Sequence, residues 1–394
     1  MKSQMKRSLG SLLASGIVMA SGSAQAQELT LGFLTAETGP FVSLSRSNEI
    51  AARMAVDEIN AGGGVNSRKI RYIAFDTAGN PGQTVVGMRK FTDDDKVLAI
   101  IGPFSSGQMQ VAAPAADRSG GVIMSMASAA PKLVANFKFA LRNTSDEGYM
   151  FDKVMQTLKS KGIKAETGAV AYANDDIISK TMGEKVFPAL MQKSGVVMKG
   201  SVDFKLAAFD LSAQVSQLKS SPTDLVGVGA PPEAAIKLAQ EMRRQGHNGR
   251  LVAGSTINTP DLPVRMGKDG EGTVIPSTFF SDLNDRTRKF AVEFEKRARV
   301  AKLETVLPAQ FDAATYDIVH YYAWAMKAAN VTGAPDRLAA ERIAIRDALK
   351  RMKDFEALEG LVSFGADNDA LKPVYVQEIR GGKWVLLETH AAPR

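Results

Sequence analysis

The 394-residue chain contains no cysteine, and it has only three histidines and two tryptophans. The lack of cysteine excludes disulfides, thiolate metal ligands, a thiol nucleophile and a lipidated N-terminal cysteine. The histidines, His247, His320 and His390, stand in three unrelated contexts, and the motifs HExxH, GxSxG and GxxxxGK[ST] do not occur. Because no nucleophile–base pair is recognisable, we expect no enzymatic activity, no metal site and no cofactor.

A strong charge of one sign is also lacking. The chain has 49 Lys and Arg against 42 Asp and Glu, and its formal charge of +7 includes Lys2, Lys6 and Arg7. The other charges are interspersed, as in RARVAKLE, which is typical of solvated helix faces. Since no basic stripe with interleaved aromatic residues is present, nucleic acid is not an expected partner.

The segment MKSQMKRSLGSLLASGIVMASGSAQAQ has the pattern of a secretory signal peptide. A basic start precedes an apolar run from Leu9 to Ala20, and Ala24-Gln25-Ala26 is a small-x-small cleavage site. The apolar run is shorter than the roughly 20 residues of a membrane-spanning helix, which is the alternative. We therefore expect residues 1–26 to be removed. An exported chain without disulfides fits the bacterial periplasm.

Strands and helices alternate along the rest of the chain. Apolar runs such as LTLGFLT, IRYIAF, VLAIIG and GVIM are separated by helical patterns such as NEIAARMAVDEINA, which indicates a doubly wound parallel sheet. The pattern begins again after Asp146 with GAVAYA, DLVGVG and RLVAGS, and this predicts a second α/β unit of similar size. The chain then becomes mainly helical and ends in a hairpin at Gly381-Gly382, so we expect it to return to the first unit.

Small polar residues fill the turns predicted to follow the strands, such as GPFSSG, SMASAAP and GSTINTP. In open α/β sheets, ligands bind outside the carboxyl ends of the strands, where helix N-termini direct free N–H groups. The Ser106 hydroxyl and nearby backbone N–H groups suit a carboxylate, and Phe41 and Phe104 suit an apolar body. Helix capping is the alternative role of Ser105, Ser106 and Ser128.

Two adjacent acids, Asp175 and Asp176, follow another predicted strand in the sequence YANDDI. Paired carboxylates can perform acid–base catalysis. We favour a structural role, in which they cap the helix that follows and polarise the loop.

Several segments resemble the periplasmic leucine/isoleucine/valine-binding proteins, the substrate-binding subunits of ABC importers. The matching segments are LGFLTAETGPF, AARMAVDEINAGGGVNSRKI, FDTAGNP, IIGPFSSG, SMASAAPKL, FALRNTSDEG and VAYANDD. The resemblance covers essentially the whole chain after residue 26. It implies the type I periplasmic binding protein fold, in which two Rossmann-like lobes are joined by three crossovers around a ligand cleft.

The resemblance also implies where the chain passes between the lobes. The crossovers are expected near Arg142–Thr144, Ser277–Phe280 and Glu356–Val362. Lobe 1 then comprises residues 27–143 and 279–356, and lobe 2 comprises residues 144–278 and 357–394.

The family's ligand-binding positions fall on residues that differ in part from the family pattern. The acid that faces the ligand's ammonium group in the family corresponds to Thr256, and two tyrosines correspond to Ile177 and Pro231. The aromatic residue near the first turn corresponds to Leu44. The predicted ligand-binding residues are Phe41, Arg46, Phe104, Ser106, Ala127, Ser128, Ala129, Asp146, Asp176, Ile177, Pro231, Thr256 and Phe311.

These departures predict the class of ligand. Because Thr256 is uncharged, a buried ammonium group would lack its partner and would be costly. We hypothesise that the ligand is a carboxylate without an α-amino group, such as an aromatic or branched oxo acid or a benzoate-like acid, with Arg46 as a candidate contact. A solvent-facing Arg46 is the alternative. A branched-chain or other amino acid stays possible if Asp146 or Asp176 receives the ammonium group.

The expected partners follow from the same resemblance. We expect a monomer that delivers its small organic acid to the membrane permease of an ABC importer. A module that presents the ligand to a sensory receptor is the alternative, because lobe closure is the signal in both cases. A periplasmic enzyme is the third possibility.

Overall fold

The computed structural model describes residues 27–393, so the predicted signal peptide lies outside the described residues. The first part of the chain forms a parallel sheet whose strands stand in the order β2-β1-β3-β4-β5. From β1 the chain continues to β2 on one side, whereas β3, β4 and β5 follow on the other side of β1. A topological switch point therefore lies at the carboxyl ends of β1 and β3. The elements are β1 (Leu29–Thr35), α1 (Val42–Ser45), α2 (Asn48–Ala61), β2 (Ile70–Asp76), α3 (Pro81–Arg89) with a π-helical extension (Lys90–Asp94), β3 (Ala99–Ile101), α4 (Ser106–Ser119), β4 (Val122–Ser125) and β5 (Ala140–Arg142).

The second part repeats the alternation of helices and strands. Its elements are α5 (Glu147–Ser160), β6 (Thr167–Ala173), α6 (Ile177–Thr181), a π-helical turn (Met182–Val186), α7 (Phe187–Lys193), β7 (Val197–Phe204), α8 (Ser212–Lys219), β8 (Leu225–Gly229), α9 (Pro232–Arg244), β9 (Arg250–Ala253), a 3₁₀ turn (Ser255–Ile257), α10 (Leu262–Met266), a second 3₁₀ turn (Gly267–Gly270) and β10 (Val274–Ser277).

The last part is mainly helical and ends in the predicted hairpin. Its elements are α11 (Asp285–Val300), α12 (Gln310–Ala328), a 3₁₀ turn (Pro335–Arg337), α13 (Leu338–Lys350), β11 (Phe355–Ala357), β12 (Gly360–Phe364), β13 (Ala370–Leu371), β14 (Val374–Arg380) and β15 (Lys383–His390). The strands β11, β12 and β13 form a small antiparallel sheet of their own.

The second large sheet has the order β15-β14-β10-β9-β8-β6-β7. Strands β6 to β10 pair in parallel, and the hairpin β14–β15 is added in antiparallel orientation beside β10. Its switch point lies between β6 and β8. The predicted α/β architecture with two lobes is therefore confirmed.

Helices α11, α12 and α13 pack into the core of the first lobe, as their position after the second sheet predicted. Phe294, Tyr322 and Leu349 belong to the same buried cluster as the strands of the first sheet. The Tyr322 hydroxyl donates to the backbone carbonyl of Ile100 in β3, at 2.7 Å. The last helices thus complete the lobe with which the chain begins.

The lobe boundaries stay a prediction, with one difference at the third crossover. The sequence assigns residues 357–394 to lobe 2, whereas Val362, Phe364 and Ala370 pack in the core of the first lobe. Val374 packs in a core of the second lobe, so the chain passes over near Leu371–Pro373. Within residues 27–393, no helix is both long enough and apolar enough to cross a membrane.

Candidate ligand-binding site

A small cavity lies between the lobes, at the carboxyl ends of the strands beside both switch points. Its volume is about 30 Å³, far below the roughly 300–1,000 Å³ of ligand pockets. The lobes therefore stand close together, and a larger ligand requires them to separate. The lining residues are Phe41, Leu44, Phe104, Ser105, Ser106, Ala127, Asp176, Ile178, Ser179, Pro231, Thr256 and Phe311.

Helix α4 begins at the cavity. The Ser105 hydroxyl accepts a hydrogen bond from the Gln108 N–H at 3.3 Å, and the Gln108 side chain accepts one from the Ser105 N–H at 3.0 Å, which forms a capping box. The Ser106 hydroxyl instead accepts from the Ala130 N–H at 3.2 Å. In the first helical turn the Gln108 N–H is thus occupied by the cap, so the N–H groups of Ser106 and Gly107 and the Ser106 hydroxyl hydrogen can hold an anion.

The turn that follows β4, residues 125–130, is the second wall of this anion cradle. Ser125 accepts hydrogen bonds from the N–H groups of residues 127 and 128, at 3.3 and 3.0 Å. From the other side, the buried Arg142 guanidinium donates to the carbonyls of Ser128 and Ala130, at 3.0 and 2.6 Å. Arg142 also forms a bidentate ion pair with Asp369. Its charge is thus compensated, and it acts by fixing the turn.

Three phenylalanines form an apolar wall. The ring centroids of Phe41 and Phe104 are 5.9 Å apart, and those of Phe104 and Phe311 are 5.2 Å apart in an edge-to-face arrangement. Leu44 completes the wall. Such a wall suits the apolar or aromatic body of a small ligand.

Asp312 fixes the start of α12 and thereby the position of Phe311. Its buried carboxylate accepts hydrogen bonds from the side chains of Ser47 and Asn48, at 2.7 and 2.9 Å, and from the Ala309 N–H at 2.8 Å. Burial raises the pKa of Asp312 to about 6, although these hydrogen bonds oppose the shift.

Asp176 is the one charged residue in the lining. It caps α6, because its Oδ2 accepts from the backbone N–H and the hydroxyl of Ser179, at 2.9 and 2.6 Å. Its Oδ1 receives no hydrogen bond within residues 27–393. Asp175 accepts from the Leu206 N–H at 2.9 Å and does not line the cavity. The capping role is confirmed for Asp176, while Asp175 holds a neighbouring loop.

The remaining wall of the second lobe is the 3₁₀ turn that carries Thr256. The Thr256 hydroxyl donates to the Ala230 carbonyl at 3.3 Å. Behind the turn, the fully buried Glu147 carboxylate accepts from the Ser255 N–H and from the Ser255 hydroxyl, the latter at 2.9 Å. Burial raises the pKa of Glu147 to about 7.

Arg46 and Asp146 do not line the cavity, contrary to the prediction. Arg46 is exposed and lies in a separate cleft, together with Glu233 and Asp261. Asp146 caps α5 and accepts from two backbone N–H groups of that helix, at 2.8 and 3.2 Å. Asp146 therefore caps a helix, and Arg46 lies on the surface.

Three further predicted residues lie beside the cavity rather than in its lining. Ser128 and Ala129 are buried behind their turn, and the Ser128 hydroxyl has no partner among the described residues. Ile177 is 40% exposed, and its place in the lining is taken by Ile178. Consecutive helical residues point in directions about 100° apart. The family position was matched to Ile177, so the sequence did not identify Ile178 as the residue that lines the cavity.

The histidines lie away from the cavity. His247 is buried in a turn, the His320 ring lies against the Tyr316 ring with centroids 4.5 Å apart and a tilt of 47°, and His390 is 2.8 Å from the Thr157 hydroxyl. Among residues 27–393, no three side chains of His, Asp or Glu converge to hold a metal ion.

Two α/β lobes that face each other across a cleft, with strand ends of both lobes in its lining, define a two-lobed solute-binding protein. Residues 28–383 match the family model described as periplasmic binding protein, and the chain belongs to this family. A Leu/Ile/Val-binding protein of Rhizobium johnstonii is 25% identical over 347 residues, which cover 87% of this chain and 89% of that protein. The predicted family is confirmed.

Solved structures show the same fold at lower identity. A leucine-binding protein of Thermotoga maritima matches with a TM-score of 0.80 at 20% identity, over 93% of this chain and 99% of that one. A solute-binding protein of an ABC transporter from Rhodopseudomonas palustris BisB5, in complex with 3,4-dihydroxybenzoic acid, matches with a TM-score of 0.80 at 18% identity, over 93% and 98% of the two chains.

Proposed function

We propose that this protein is the solute-binding subunit of an ABC importer that binds a small organic acid with an apolar body between its lobes. It carries the acid in the periplasm to a membrane permease and does not transform it. The observation that carries the proposal is the cavity itself, whose lining combines an anion cradle with a wall of three phenylalanines.

The carboxylate of the ligand is assigned to the first-lobe side of the cavity. There the Ser106 hydroxyl and the N-terminal N–H groups of α4 offer donors, and the helix dipole favours a negative charge. The ligand body then lies against Phe104 and Phe311. This arrangement stabilises a carboxylate without a lysine or an arginine in the lining.

The second-lobe side favours a ligand whose far end is apolar or weakly polar. Ile178 and Pro231 present apolar surface there, and Thr256 presents a hydroxyl. An aromatic or branched oxo acid, or a benzoate-like acid, meets these requirements. The related fold that binds 3,4-dihydroxybenzoic acid supports this class as compatible with the scaffold.

An amino acid is the second candidate, and a specific observation favours it. Asp176 lies in the lining, and its Oδ1 accepts no hydrogen bond within the described part of the chain. That oxygen is a candidate partner for an α-ammonium group, in place of the acid that Thr256 replaces. The two candidates therefore differ in the presence of one amino group.

The discriminating experiment is a thermal-shift screen of the purified chain without residues 1–26. Each acid is paired with its amino counterpart: phenylpyruvate with phenylalanine, and 4-methyl-2-oxopentanoate with leucine, and benzoate and 3,4-dihydroxybenzoate are added. Ligand at 100 times its dissociation constant stabilises by about 2.7 kcal/mol, which such a screen detects. Shifts with the amine-free acids alone support the first candidate, and shifts with the amino acids alone support the second.

A further inference from the structure

One buried carboxylate receives a hydrogen bond from each of the three chain segments that pass between the lobes. The Glu359 carboxylate accepts from Asn143 Nδ2 at 3.1 Å, from the Thr278 hydroxyl and from the Lys372 ammonium group. Asn143 follows β5, Thr278 follows β10, and Lys372 lies between β13 and β14. All four side chains are at least 95% buried. The three crossovers are thus tied together at one point.

Gln310 connects this point to the cavity. It is the first residue of α12, directly before Phe311, and it is 4% exposed. Its Nε2 donates to the Ser255 carbonyl at 3.1 Å, and its Oε1 accepts from the Thr278 N–H at 3.1 Å. Ser255 precedes Thr256, which lines the cavity on the second-lobe side. One amide therefore bridges both cavity walls and the second crossover.

We propose that Gln310 is a positioning residue for ligand binding, which couples the separation of the cavity walls to the crossovers without contacting the ligand. The inference rests on the proposed function only in requiring that a ligand binds in the cavity. The Gln310–Ser255 hydrogen bond joins a first-lobe helix to a second-lobe turn. Its loss shifts the lobes towards separation, and a ligand that needs closed lobes then binds more weakly.

The chemistry requires an amide at this position. The Ser255 carbonyl needs a donor and the Thr278 N–H needs an acceptor, and only a side chain with both groups satisfies them. The substitution Gln310→Glu keeps the shape and the acceptor but places a second acceptor against the Ser255 carbonyl. Protonation of that carboxyl group restores the donor, so the effect of the substitution, taken relative to the unsubstituted chain at the same pH, should decrease at low pH. The relative comparison is needed because Glu147, which accepts from Ser255, and Asp312 have pKa values raised to about 7 and about 6 and change charge in the same range in every variant.

Asn60 offers a matched control within one lobe. Its side chain donates to the Ile70 carbonyl and accepts from the Ile70 N–H, both at 2.8 Å, and so performs the same double role between α2 and β2. The substitution Asn60→Asp makes the same amide-to-acid change without touching the contact between the lobes.

The test measures the lobe separation and the ligand affinity in both variants. Because the chain has no cysteine, Val264→Cys and Val300→Cys introduce unique spin-label sites on the two lobes, at positions that are 74% and 80% exposed. The distance between the labels is measured by pulsed electron paramagnetic resonance, without ligand and with the acid that gives the largest thermal shift. Dissociation constants and dissociation rates are measured at pH 5 and pH 8.

For Gln310→Glu we expect a longer label distance without ligand and a dissociation constant at least tenfold higher at pH 8, mainly through faster dissociation, with partial recovery at pH 5. Asn60→Asp should leave the distance and the affinity within twofold of the unsubstituted chain. Equal behaviour of the two variants overturns the proposal.

If Gln310→Glu does not fold, Gln310→Met is judged by the same distance and affinity criteria. If no acid in the panel binds, the proposed function fails. The label distance without ligand then tests the role of Gln310 alone: a longer distance in Gln310→Glu than in Asn60→Asp supports it, and equal distances overturn it.

Discussion

Ser105 and Ser106 show how two adjacent identical residues take different roles at the start of α4. Ser105 caps the helix through Gln108, whereas Ser106 reaches across to the turn after β4. Both hydroxyl oxygens are acceptors in these contacts and both keep their hydrogens, but only Ser106 connects the start of α4 to the turn after β4, the second wall of the anion cradle. At the scale of single residues, Ser106 is therefore the first polar contact to test.

We predict that Ser106→Ala weakens the binding of the carboxylate ligand roughly tenfold, since a hydrogen bond to a charged group contributes about 1.5 kcal/mol or more. Isothermal titration calorimetry measures the change. Ser105→Ala is the control: it removes the cap and should lower the stability by about 1 kcal/mol, with a smaller effect on affinity. A larger loss of affinity in Ser105→Ala than in Ser106→Ala would contradict these assignments.

Asp176 separates the two candidate ligand classes. We predict that Asp176→Asn, which keeps a helix-capping residue, improves the binding of an amine-free acid severalfold because it removes a like charge from the cavity. If the ligand is an amino acid, the same substitution should weaken binding tenfold or more. Titrations of both ligand types measure the sign. Asp175→Asn, outside the cavity, should change neither affinity.

The residue scale is also where prediction from sequence was least complete. The turns around Ser106 and Thr256 were recognisable because small polar residues follow apolar strands. The direction of a side chain at a helix start could not be recognised in the same way. The sequence therefore predicted Ile177 as a ligand contact, whereas Ile178 lines the cavity. Arg46 carried a charge that suited a ligand, but sequence alone could not show that it lies in a separate cleft.

At the scale of elements, buried acids hold the helix starts and turns that build the cavity. Glu147 holds the turn that contains Thr256, and Asp312 holds the start of α12. Burial raises the pKa of Glu147 to about 7 and that of Asp312 to about 6, above the ordinary values of 4.5 and 3.8. A raised pKa in the folded state means that these groups contribute most stability when they are protonated, below pH 4. That contribution is lost as the pH rises through 6 to 7.

We predict that Glu147→Gln reduces the pH dependence of stability between pH 4.5 and 8. Glutamine keeps an acceptor for Ser255 but cannot ionise, so the variant should lose less stability over this range than the unsubstituted chain. The difference should be on the order of a few kcal/mol. Urea unfolding at several pH values measures this difference. The substitution Glu166→Gln, at an exposed residue, is the control. Parallel pH profiles of the Glu147→Gln variant and the unsubstituted chain would contradict the assignment.

Long periodic elements were predictable and very short ones were not. The apolar spacing in α2 and α5 and the continuous apolar runs of β1 and β8 carry their own signals. Strands β5, β11 and β13 have three, three and two residues, too few for a period to show. They form because neighbouring strands offer pairing partners, which is a property of the folded chain.

At the scale of the whole molecule, the alternation of strands and helices predicted two α/β units, and the family resemblance predicted that they are joined by three crossovers. The crossovers near Arg142–Thr144 and Ser277–Phe280 stay predictions, and these two segments begin at the last residues of β5 and β10. The third lies after β13, because β11–β13 add to the first lobe before the chain leaves it. Pattern alone could not assign such short strands to a lobe.

The central claim for the whole molecule is that the cleft binds a small carboxylate with an apolar body. The most direct measurement is calorimetric titration of the chain, without residues 1–26, with phenylpyruvate, 4-methyl-2-oxopentanoate, benzoate and 3,4-dihydroxybenzoate, each beside its amino-acid counterpart where one exists. We predict binding of at least one acid in one-to-one stoichiometry, weakened by Ser106→Ala. Binding that is unaffected by Ser106→Ala, or no binding by any acid or amino acid of the panel, would contradict the account.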